Sequence, residues 1–261
     1  MAKSFATIMK EYEENISDDI KLRTGFIQEQ VEKAWMKGVV VGISGGIDSS
    51  VVAALAIKAL GPSKVLGVWM PAQSDPVHER DALELSQAIG LKLINIDLNK
   101  AVDELVQAVD SGLRTGEYLS GDNMLTKLSI GNTKARVRMA ALYAVANQLG
   151  YMVLGTCNRT EIYLGYETKG GDQICDFNPI ASLLKAQVRI LAKALGIPEN
   201  IINKAPSADL WEGHTDEGEM GFTYAEADRA ILTGEGDPDI LRKIDQLHRC
   251  SEHKRTMAPT V

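Results

Sequence analysis

Residues 43–50, Ile-Ser-Gly-Gly-Ile-Asp-Ser-Ser, have the residue types that chemistry on a phosphate group requires. The two adjacent glycines leave backbone N–H groups without a Cβ beside them, so an anion can approach closely. The hydroxyls of Ser44, Ser49 and Ser50 can donate further hydrogen bonds to phosphate oxygens. Asp48 would repel a phosphate unless a cation lay between them. The segment therefore predicts a phosphate loop that also holds a metal ion.

This segment matches neither of two common phosphate-binding motifs. No Lys-Ser or Lys-Thr pair follows the glycines, which excludes a Walker A loop. The dinucleotide fingerprint G-x-G-x-x-G is also absent. The alternative without a ligand is a Gly-rich turn between a strand and a helix, in which Asp48 only interacts with the helix dipole.

Short apolar runs alternate with longer amphipathic segments on both sides of the loop. The runs at 39–43, 65–70, 91–98 and 151–155 predict buried strands, and the segments 48–60, 76–89, 100–109 and 132–149 predict helices. The alternation predicts an α/β fold, a doubly wound parallel sheet with helices on both faces. Ligands of such sheets bind at the carboxyl ends of the strands, where residues 44–50, 71–75 and 156–161 fall.

The remaining segments predict additions to one domain, residues 1–261. A helix pair is expected at about 4–36 and a helical tail at about 224–261, and segment 182–195 predicts a further helix. Segment 204–222 is rich in acids, glycine and small residues and has no periodicity. It predicts a long loop that covers a site or is partly mobile.

Composition limits the classes of partner. The formal net charge of −7 gives no support to a nucleic-acid partner, and no apolar run is long enough to predict a membrane span. The cysteines Cys157, Cys175 and Cys250 form no C-x-x-C pair, which argues against a zinc ribbon or a disulfide framework. A reducing, cytoplasmic location is expected.

Several motifs together resemble one enzyme family. The loop S-G-G-x-D-S resembles the pyrophosphate loop of the ATP pyrophosphatases, which cleave ATP between its α- and β-phosphates. Within that superfamily, four segments resemble motifs of the ammonia-dependent NAD synthetases in family order: 131-GNTKARVRM-139, 153-VLGTCNRTE-161, 206-PSADLW-211 and 252-EHKR-255. The resemblance implies an adenine nucleotide alpha hydrolase-like fold. It also implies amidation of deamido-NAD to NAD through an acyl-adenylate, consuming ATP and ammonia and releasing AMP and pyrophosphate.

The resemblance also assigns roles to residues. It implies catalytic roles for Asp48 and Lys185 and a Mg²⁺ site at Asp48 and Glu161. Contacts to ATP are implied for Gly42, Ile43, Ser44, Gly45, Gly46, Ile47, Asp48, Ser49, Thr156, Lys185 and Ser207. Contacts to deamido-NAD are implied for Asn132, Arg136, Lys169, Asp172, His253 and Lys254.

Two segments depart from the family pattern. Where many members read T-D-H-A-A-E, this chain has 156-TCNRTE-161, which keeps the spacing from Thr to Glu but lacks the Asp-His pair. The common Lys-Tyr-Gly-Asp-Gly-Gly is replaced by Lys-Gly-Gly-Asp at 169–172. Both variants are compatible with a different branch of the family.

Ordinary structural explanations exist for the same side chains. Arg136 could lie on a solvated helix face, Glu161 could be an unpaired surface acid, and Lys185 could be a surface cation. His253 and Lys254 lie in a tail that could be loose unless it docks into a partner subunit.

The nitrogen source and the assembly are also inferred from the resemblance. A fused amidase domain would not fit within 261 residues, so free ammonia is expected, although a separate glutaminase subunit stays possible. The family is typically a homodimer with the dinucleotide across the subunit interface, and the helices near 6–36 and 132–149 are interface candidates.

Two other functions stay open on the sequence. A tRNA-thiolating relative would share the loop but would normally have paired cysteines and a basic extension. A non-catalytic adenine-nucleotide sensor would need the glycines but has no evident use for Asp48 together with Glu161.

Overall fold

A computed structural model describes residues 3–121, 124–207, 213 and 215–260 of the chain. Its strands are β1 (Gly38–Gly42), β2 (Val65–Trp69), β3 (Lys92–Asn95) and β4 (Tyr151–Val153). The helices are α1 (Phe5–Glu14), α2 (Ile16–Lys33), α3 (Ile47–Leu60), α4 (Pro76–Ile89), α5 (Asn99–Thr115), α6 (Lys127–Leu149), α7 (Arg159–Leu164), α8 (Lys185–Ala194), α9 (Glu199–Asn203), α10 (Asp216–Met220), α11 (Tyr224–Thr233), α12 (Pro238–Cys250) and α13 (Glu252–Arg255). Among these helices none is long and apolar enough to cross a bilayer.

The four strands form one parallel sheet in the order β3-β2-β1-β4. The central strand β1 pairs Val40 with Leu66 on one side and with Val153 on the other. Since β1 and β2 are buried on both faces, their sequences are almost continuously apolar, as in other parallel sheets. The predicted parallel sheet is confirmed, and its carboxyl edge collects the loops that follow each strand.

Helices cover both faces of this sheet. On one face, α2, α3 and α8 bury residues such as Ile27, Leu55 and Leu191 against the strands. On the other face, α5 and α6 contribute Val102 and Leu142. The doubly wound arrangement expected from the sequence is therefore present.

The prediction for the third strand, 91–98, was too long. Gly90 has φ of +67° and ends α4, and the Leu91 N–H bonds to the Ser86 carbonyl, so Leu91 belongs to the helix end. At the other end Asp97 accepts from the Asn99 N–H and begins the turn into α5. Only Lys92–Asn95 is strand.

Helix α6 begins at Lys127, five residues before the predicted start. The Thr126 side chain accepts a hydrogen bond from the Ser129 N–H, which caps the helix before its apolar pattern begins. The predicted α4, by contrast, has the predicted bounds, with Asp75 as its cap.

Segment 204–222 is not irregular throughout. Asp216–Met220 forms the short helix α10, which Gly221 ends with φ of +73°. Met220 and Phe222 are buried in a third apolar cluster with Tyr224 and with residues of α7, α11 and α12. This burial orders the second half of the segment. Residues 208–212 and 214, which include most of the 206–211 motif, lie outside the described residues.

Candidate active site

A cleft of about 480 Å³ opens at the carboxyl edge of the sheet. Its walls are the loop after β1, the segments after β2 and β4, the first halves of α6 and α8, and residues 204–207. Nearly all of the residues predicted to contact ATP line it: Gly42, Ile43, Ser44, Gly46, Ile47, Asp48, Ser49, Thr156, Lys185 and Ser207. The structure thus brings together residues separated by more than 150 positions in the chain.

The loop after β1 is shaped by the absence of a side chain at Gly45. Gly45 has φ of +73°, and a Cβ there would lie 2.5 Å from the His78 carbonyl oxygen. Only glycine satisfies both the left-handed backbone and this close approach. The loop consequently packs against the first turn of α4 and leads directly into α3, whose N-terminus favours an anion.

The serines of the loop have different roles. Ser44 Oγ and Ser49 Oγ lie 3.1 Å apart, and both residues line the cleft. Ser50 is fully buried and donates to the Gly46 carbonyl at 2.8 Å. The prediction that Ser50 offers a hydroxyl to a phosphate is therefore wrong for this structure, because Ser50 stabilises the helix start instead.

Asp48 and Glu161 converge on one buried cation. Lys185 Nζ lies 2.6 Å from Asp48 Oδ2 and 3.2 Å from Glu161 Oε1, and the lysine side chain is only 3% exposed. Burial alone would lower the pKa of Lys185, but the two carboxylates outweigh burial and raise that pKa above its usual value. Burial and the nearby Asp48 carboxylate raise the pKa of Glu161, which Lys185 opposes. Neither Glu161 nor Lys185 is a surface residue, so the ordinary explanations for them do not hold.

The surrounding residues fix this group in place. Asn158 Nδ2 donates to Asp48 Oδ1 at 2.9 Å, and the Asn158 backbone N–H donates to Glu161 in a capping box at the start of α7. The Tyr224 ring centroid lies 4.7 Å from Lys185 Nζ, a cation–π distance. The Tyr224 hydroxyl lies 3.3 Å from Glu161 and 2.9 Å from Asp216.

A second buried contact positions the start of α8. Asp228 of α11 is 1% exposed and accepts hydrogen bonds from the Thr160 hydroxyl and from the Ala186 N–H. The Thr160 hydroxyl oxygen also accepts from the Lys185 N–H at 3.1 Å. Helix α11 thus fixes the backbone at the start of α8, where Lys185 lies.

The donor set fits Mg²⁺. Asp48 and Glu161 supply hard carboxylate oxygens that already converge on one positive group. Within residues 3–121, 124–207, 213 and 215–260 no set of three or more acids, histidines or cysteines forms a complete metal cage. Mg²⁺ typically binds through one or two carboxylates together with substrate phosphates, so an incomplete protein cage is the expected arrangement.

The residues predicted to bind deamido-NAD fall into two groups. Asn132, Asp172 and Lys254 line the cleft. Lys254 Nζ donates to the carbonyls of Gly165 and Glu167, so the C-terminal tail is docked on its own chain. Burial lowers the pKa of Lys254, and the carboxylates of Glu167 and Asp172 oppose this effect.

The second group lies outside the cleft lining. Arg136 Nε donates to the Lys169 carbonyl at 3.1 Å, and Lys169 Nζ donates to the His253 carbonyl at 2.7 Å. All three residues are exposed. They form a connected strip beside the cleft and do not enter it in this structure.

Sequence analysis missed several charged residues of the cleft. Arg138 donates to the Met70 carbonyl and to Ser74, and Lys204 contacts His78 and Asp81. Arg138 and Lys204 both line the cleft. Their contacts join residues more than 60 positions apart, and no local spacing predicts them. Asn158 could have been found, because Asn-x-x-Glu is a capping-box signal.

Cys157 lines the cleft but is not suited to nucleophilic catalysis. The residue is buried, and burial raises the pKa of its thiol well above the usual range. The reactive thiolate would be rare at neutral pH. The arrangement is therefore suited to binding phosphates and supplies no covalent nucleophile through this cysteine.

Comparisons with known proteins identify the family of the chain. The sequence model described as NAD synthase matches residues 19–258. The NH(3)-dependent NAD(+) synthetase of Carboxydothermus hydrogenoformans is 45% identical over 88% of this chain and 91% of its own length. That of Methanocaldococcus jannaschii is 41% identical over 95% and 97%.

Solved structures show the same likeness. The NMN synthetase of Francisella tularensis has a TM-score of 0.86 and 35% identity, over 94% of this chain and 98% of that one. The NH3-dependent NAD synthetase of Campylobacter jejuni has a TM-score of 0.77 and 31% identity, over 94% and 99%. The family resemblance drawn from the loop, the α6 motif and the tail is thereby confirmed. The chain belongs to the NAD synthase family, a family of ligases.

Proposed function

We propose that the chain amidates deamido-NAD to NAD in this cleft through an acyl-adenylate, with ammonia as the nitrogen source. The observation that carries the proposal is the convergence of Asp48, Glu161 and Lys185 beside the glycine loop. The names of the relatives support the overall reaction.

The first half-reaction is the attack of the substrate carboxylate on the α-phosphorus of ATP. The bond from the α-phosphorus to the bridging oxygen breaks, and pyrophosphate leaves with that electron pair. Backbone N–H groups of the loop after β1 and the start of α3 bind the departing anion. Mg²⁺, when held by Asp48 and Glu161, would neutralise charge on the phosphate oxygens.

Lys185 has a second task once a metal and ATP are present. Its ammonium is held at the cleft wall by the start of α8, within reach of the same space as Asp48. A cation there stabilises the negative charge that builds on the bridging oxygen. In the second half-reaction ammonia attacks the acyl carbon, and the bond from that carbon to the phosphate oxygen of AMP breaks. AMP leaves with the electron pair, the nitrogen loses one proton to solvent, and the amide forms.

The direct test is an assay of the purified chain. With ATP, Mg²⁺, ammonium and deamido-NAD, equal amounts of NAD, AMP and pyrophosphate are expected. Glutamine in place of ammonium should give no turnover, because the described residues contain no arrangement suited to an amidase nucleophile. Failure to form NAD from ammonium would contradict the proposal, and so would ready use of glutamine.

Product from a tRNA substrate would favour a thiolating enzyme, and ATP binding without turnover would favour a sensor.

A second candidate product is NMN. The Francisella tularensis NMN synthetase has a higher TM-score, 0.86, than the Campylobacter jejuni NAD synthetase, 0.77. Comparing kcat/KM for deamido-NAD with that for the corresponding mononucleotide decides between them.

We also propose a homodimer located in the cytoplasm. The three free cysteines support a reducing compartment. The exposed strip beside the cleft supports a dimer, because a partner subunit could complete the site for the far end of a dinucleotide.

A further inference from the structure

A cluster of three charged or titratable side chains lies beside the phosphate loop. It consists of His78 and Asp81 of α4 and Lys204, which follows α9. Lys204 Nζ lies 2.6 Å from Asp81 Oδ2 and 2.9 Å from His78 Nδ1. The family resemblance assigned no role to any of them.

The cluster is built into the fold. Asp81 is 2% exposed, and its other oxygen lies 3.4 Å from Asn200 Nδ2, so it is a fixed, buried acceptor. Because an ammonium can only donate, His78 Nδ1 is the acceptor in its contact with a charged Lys204. A lysine held by two buried partners is not a solvated surface cation.

The cluster also touches the phosphate loop. The His78 carbonyl is the group against which Gly45 packs, so closely that no side chain fits. Both His78 and Lys204 line the same cleft as Ser44 and Ser49. The position of the ammonium is therefore fixed relative to the backbone N–H groups of the loop.

The charges around Lys204 leave its ammonium able to bind an anion. ATP and pyrophosphate carry several negative charges, and the charge of Lys185 is shared between Asp48 and Glu161. Lys204 faces one carboxylate, and two of its three donors are used by Asp81 and His78. A third donor can go to a phosphate oxygen.

We propose that Lys204 binds the β- and γ-phosphates of ATP and the pyrophosphate that leaves, and that Asp81 and His78 position it. This inference rests on the proposed use of ATP in this cleft. Lys204 and Lys185, which line the same cleft, would then both contact the polyphosphate.

The test measures binding of inorganic pyrophosphate and, separately, of AMP by the full chain with Mg²⁺ in a calorimeter. Lys204→Met should weaken pyrophosphate binding by roughly 10- to 100-fold, the effect of losing a hydrogen bond to a charged group. AMP affinity should not change, because AMP lacks the β- and γ-phosphates. Lys204→Arg, which keeps the charge, should restore part of the affinity.

Controls separate this role from a structural one. Lys100→Met removes an exposed cation on α5 that does not line the cleft and that pairs with Glu104, not with Asp81, and it should leave both affinities unchanged. Since Lys204→Met leaves Asp81 buried without its cation, the double variant Asp81→Asn with Lys204→Met removes the pair together and should stay folded by circular dichroism.

Two results would overturn the inference. One is a folded double variant that binds pyrophosphate as tightly as the natural chain, and the other is an equal loss of AMP and pyrophosphate binding. Because these titrations require no turnover, they report on Lys204 even if the natural chain forms no NAD, which is the result that would contradict the proposed function.

Discussion

At the scale of single residues, one substitution of Asp48 can remove its ion pair and keep its hydrogen bond. Asp48 accepts from Asn158 and forms an ion pair with Lys185. Asp48→Asn keeps the size and can keep the contact to Asn158 after an amide flip, but it removes the charge. We expect pyrophosphate release to fall by at least about 100-fold, the usual effect of losing one transition-state electrostatic contact.

The fold should survive this change. Lys185 keeps Glu161 as a partner, so unfolding in urea should show a loss of only about 1–3 kcal/mol. Asp18→Asn, an exposed acid on α2, is the matched control and should alter neither quantity. Normal turnover by the Asp48 variant would refute its metal-binding role.

Glu167 gives a pH prediction. Burial and the neighbouring Asp172 carboxylate raise the pKa of Glu167 from 4.5 to about 7, against the effect of Lys254 and Arg255. A carboxyl with a raised pKa binds its proton more tightly in the folded chain than in the unfolded chain. Its contribution to stability is therefore full below pH 4.5 and is lost as the pH rises through about 7.

The comparison is with Glu167→Gln, which cannot lose a proton. Between pH 4.5 and 8, the melting temperature of the natural chain should fall relative to that of this variant. Glu104→Gln, an exposed acid on α5, should show no such difference. Parallel melting curves of the natural chain and the Glu167 variant across this range would show that the Glu167 pKa is not raised.

What the sequence reveals about residues depends on how local their contacts are. Asp48 was predicted from neighbouring glycines and serines, a signal that lies within a few positions, whereas the role of Glu161 was implied by the family resemblance. The pair Asp81 and Lys204 spans 123 positions and the pair Lys185 and Asp48 spans 137. Such contacts exist only after the helices have packed, and no spacing rule predicts them.

At the scale of elements, the turn between β1 and α3 depends on one glycine. Gly45→Ala would place a Cβ 2.5 Å from the His78 carbonyl oxygen in a left-handed backbone. We expect a loss of about 1–3 kcal/mol in urea unfolding, the cost of such a conformation, and a higher KM for ATP because the loop must shift.

A second glycine, replaced in the same way, is expected to stabilise the chain. Gly112 lies within α5, and a Cβ there would contact nothing within 4 Å. Gly112→Ala should therefore stabilise the chain by about 0.5–1 kcal/mol and leave the KM for ATP unchanged. If both alanine variants unfold at the same urea concentration as the natural chain, the close packing of the loop on α4 is not present in solution.

Elements with strong local signals were predicted well, and those that depend on packing were not. Helix α4 has an Asp cap, a proline in its first turn and a glycine end, and its bounds were predicted correctly. Helix α10 has mostly polar residues, and only the burial of Met220 and Phe222 against the C-terminal helices reveals why it forms. The start of α6 precedes its apolar pattern, so periodicity placed it too late.

At the scale of the whole molecule, one helix presents apolar side chains that its own chain does not cover. Helix α5 is amphipathic, yet Val102 is its one buried residue, while Leu105 and Val109 are 44% and 43% exposed one turn apart. Leu128 at the start of the neighbouring helix α6 is 55% exposed. Exposed apolar side chains on two helices that contact each other favour an interface with another subunit.

We therefore expect a dimer formed through α5 and α6. Leu105→Glu places a charge in that contact and should convert the dimer to a monomer in light scattering. The circular dichroism spectrum should not change, because the side chain is half exposed within its own chain, but the melting temperature should fall because the stabilisation from dimerisation is lost. Leu22→Glu tests the other candidate, the N-terminal helices, where Leu22 is 69% exposed, and should leave the dimer intact. A monomer from the Leu22 variant alone would move the interface to α2, and a natural chain that is monomeric at all concentrations would exclude a dimer. In the Leu105 variant, KM for deamido-NAD should rise, because the strip beside Arg136 would lose the partner subunit. KM for ATP should stay constant, because the residues proposed to contact ATP line a cleft within one chain.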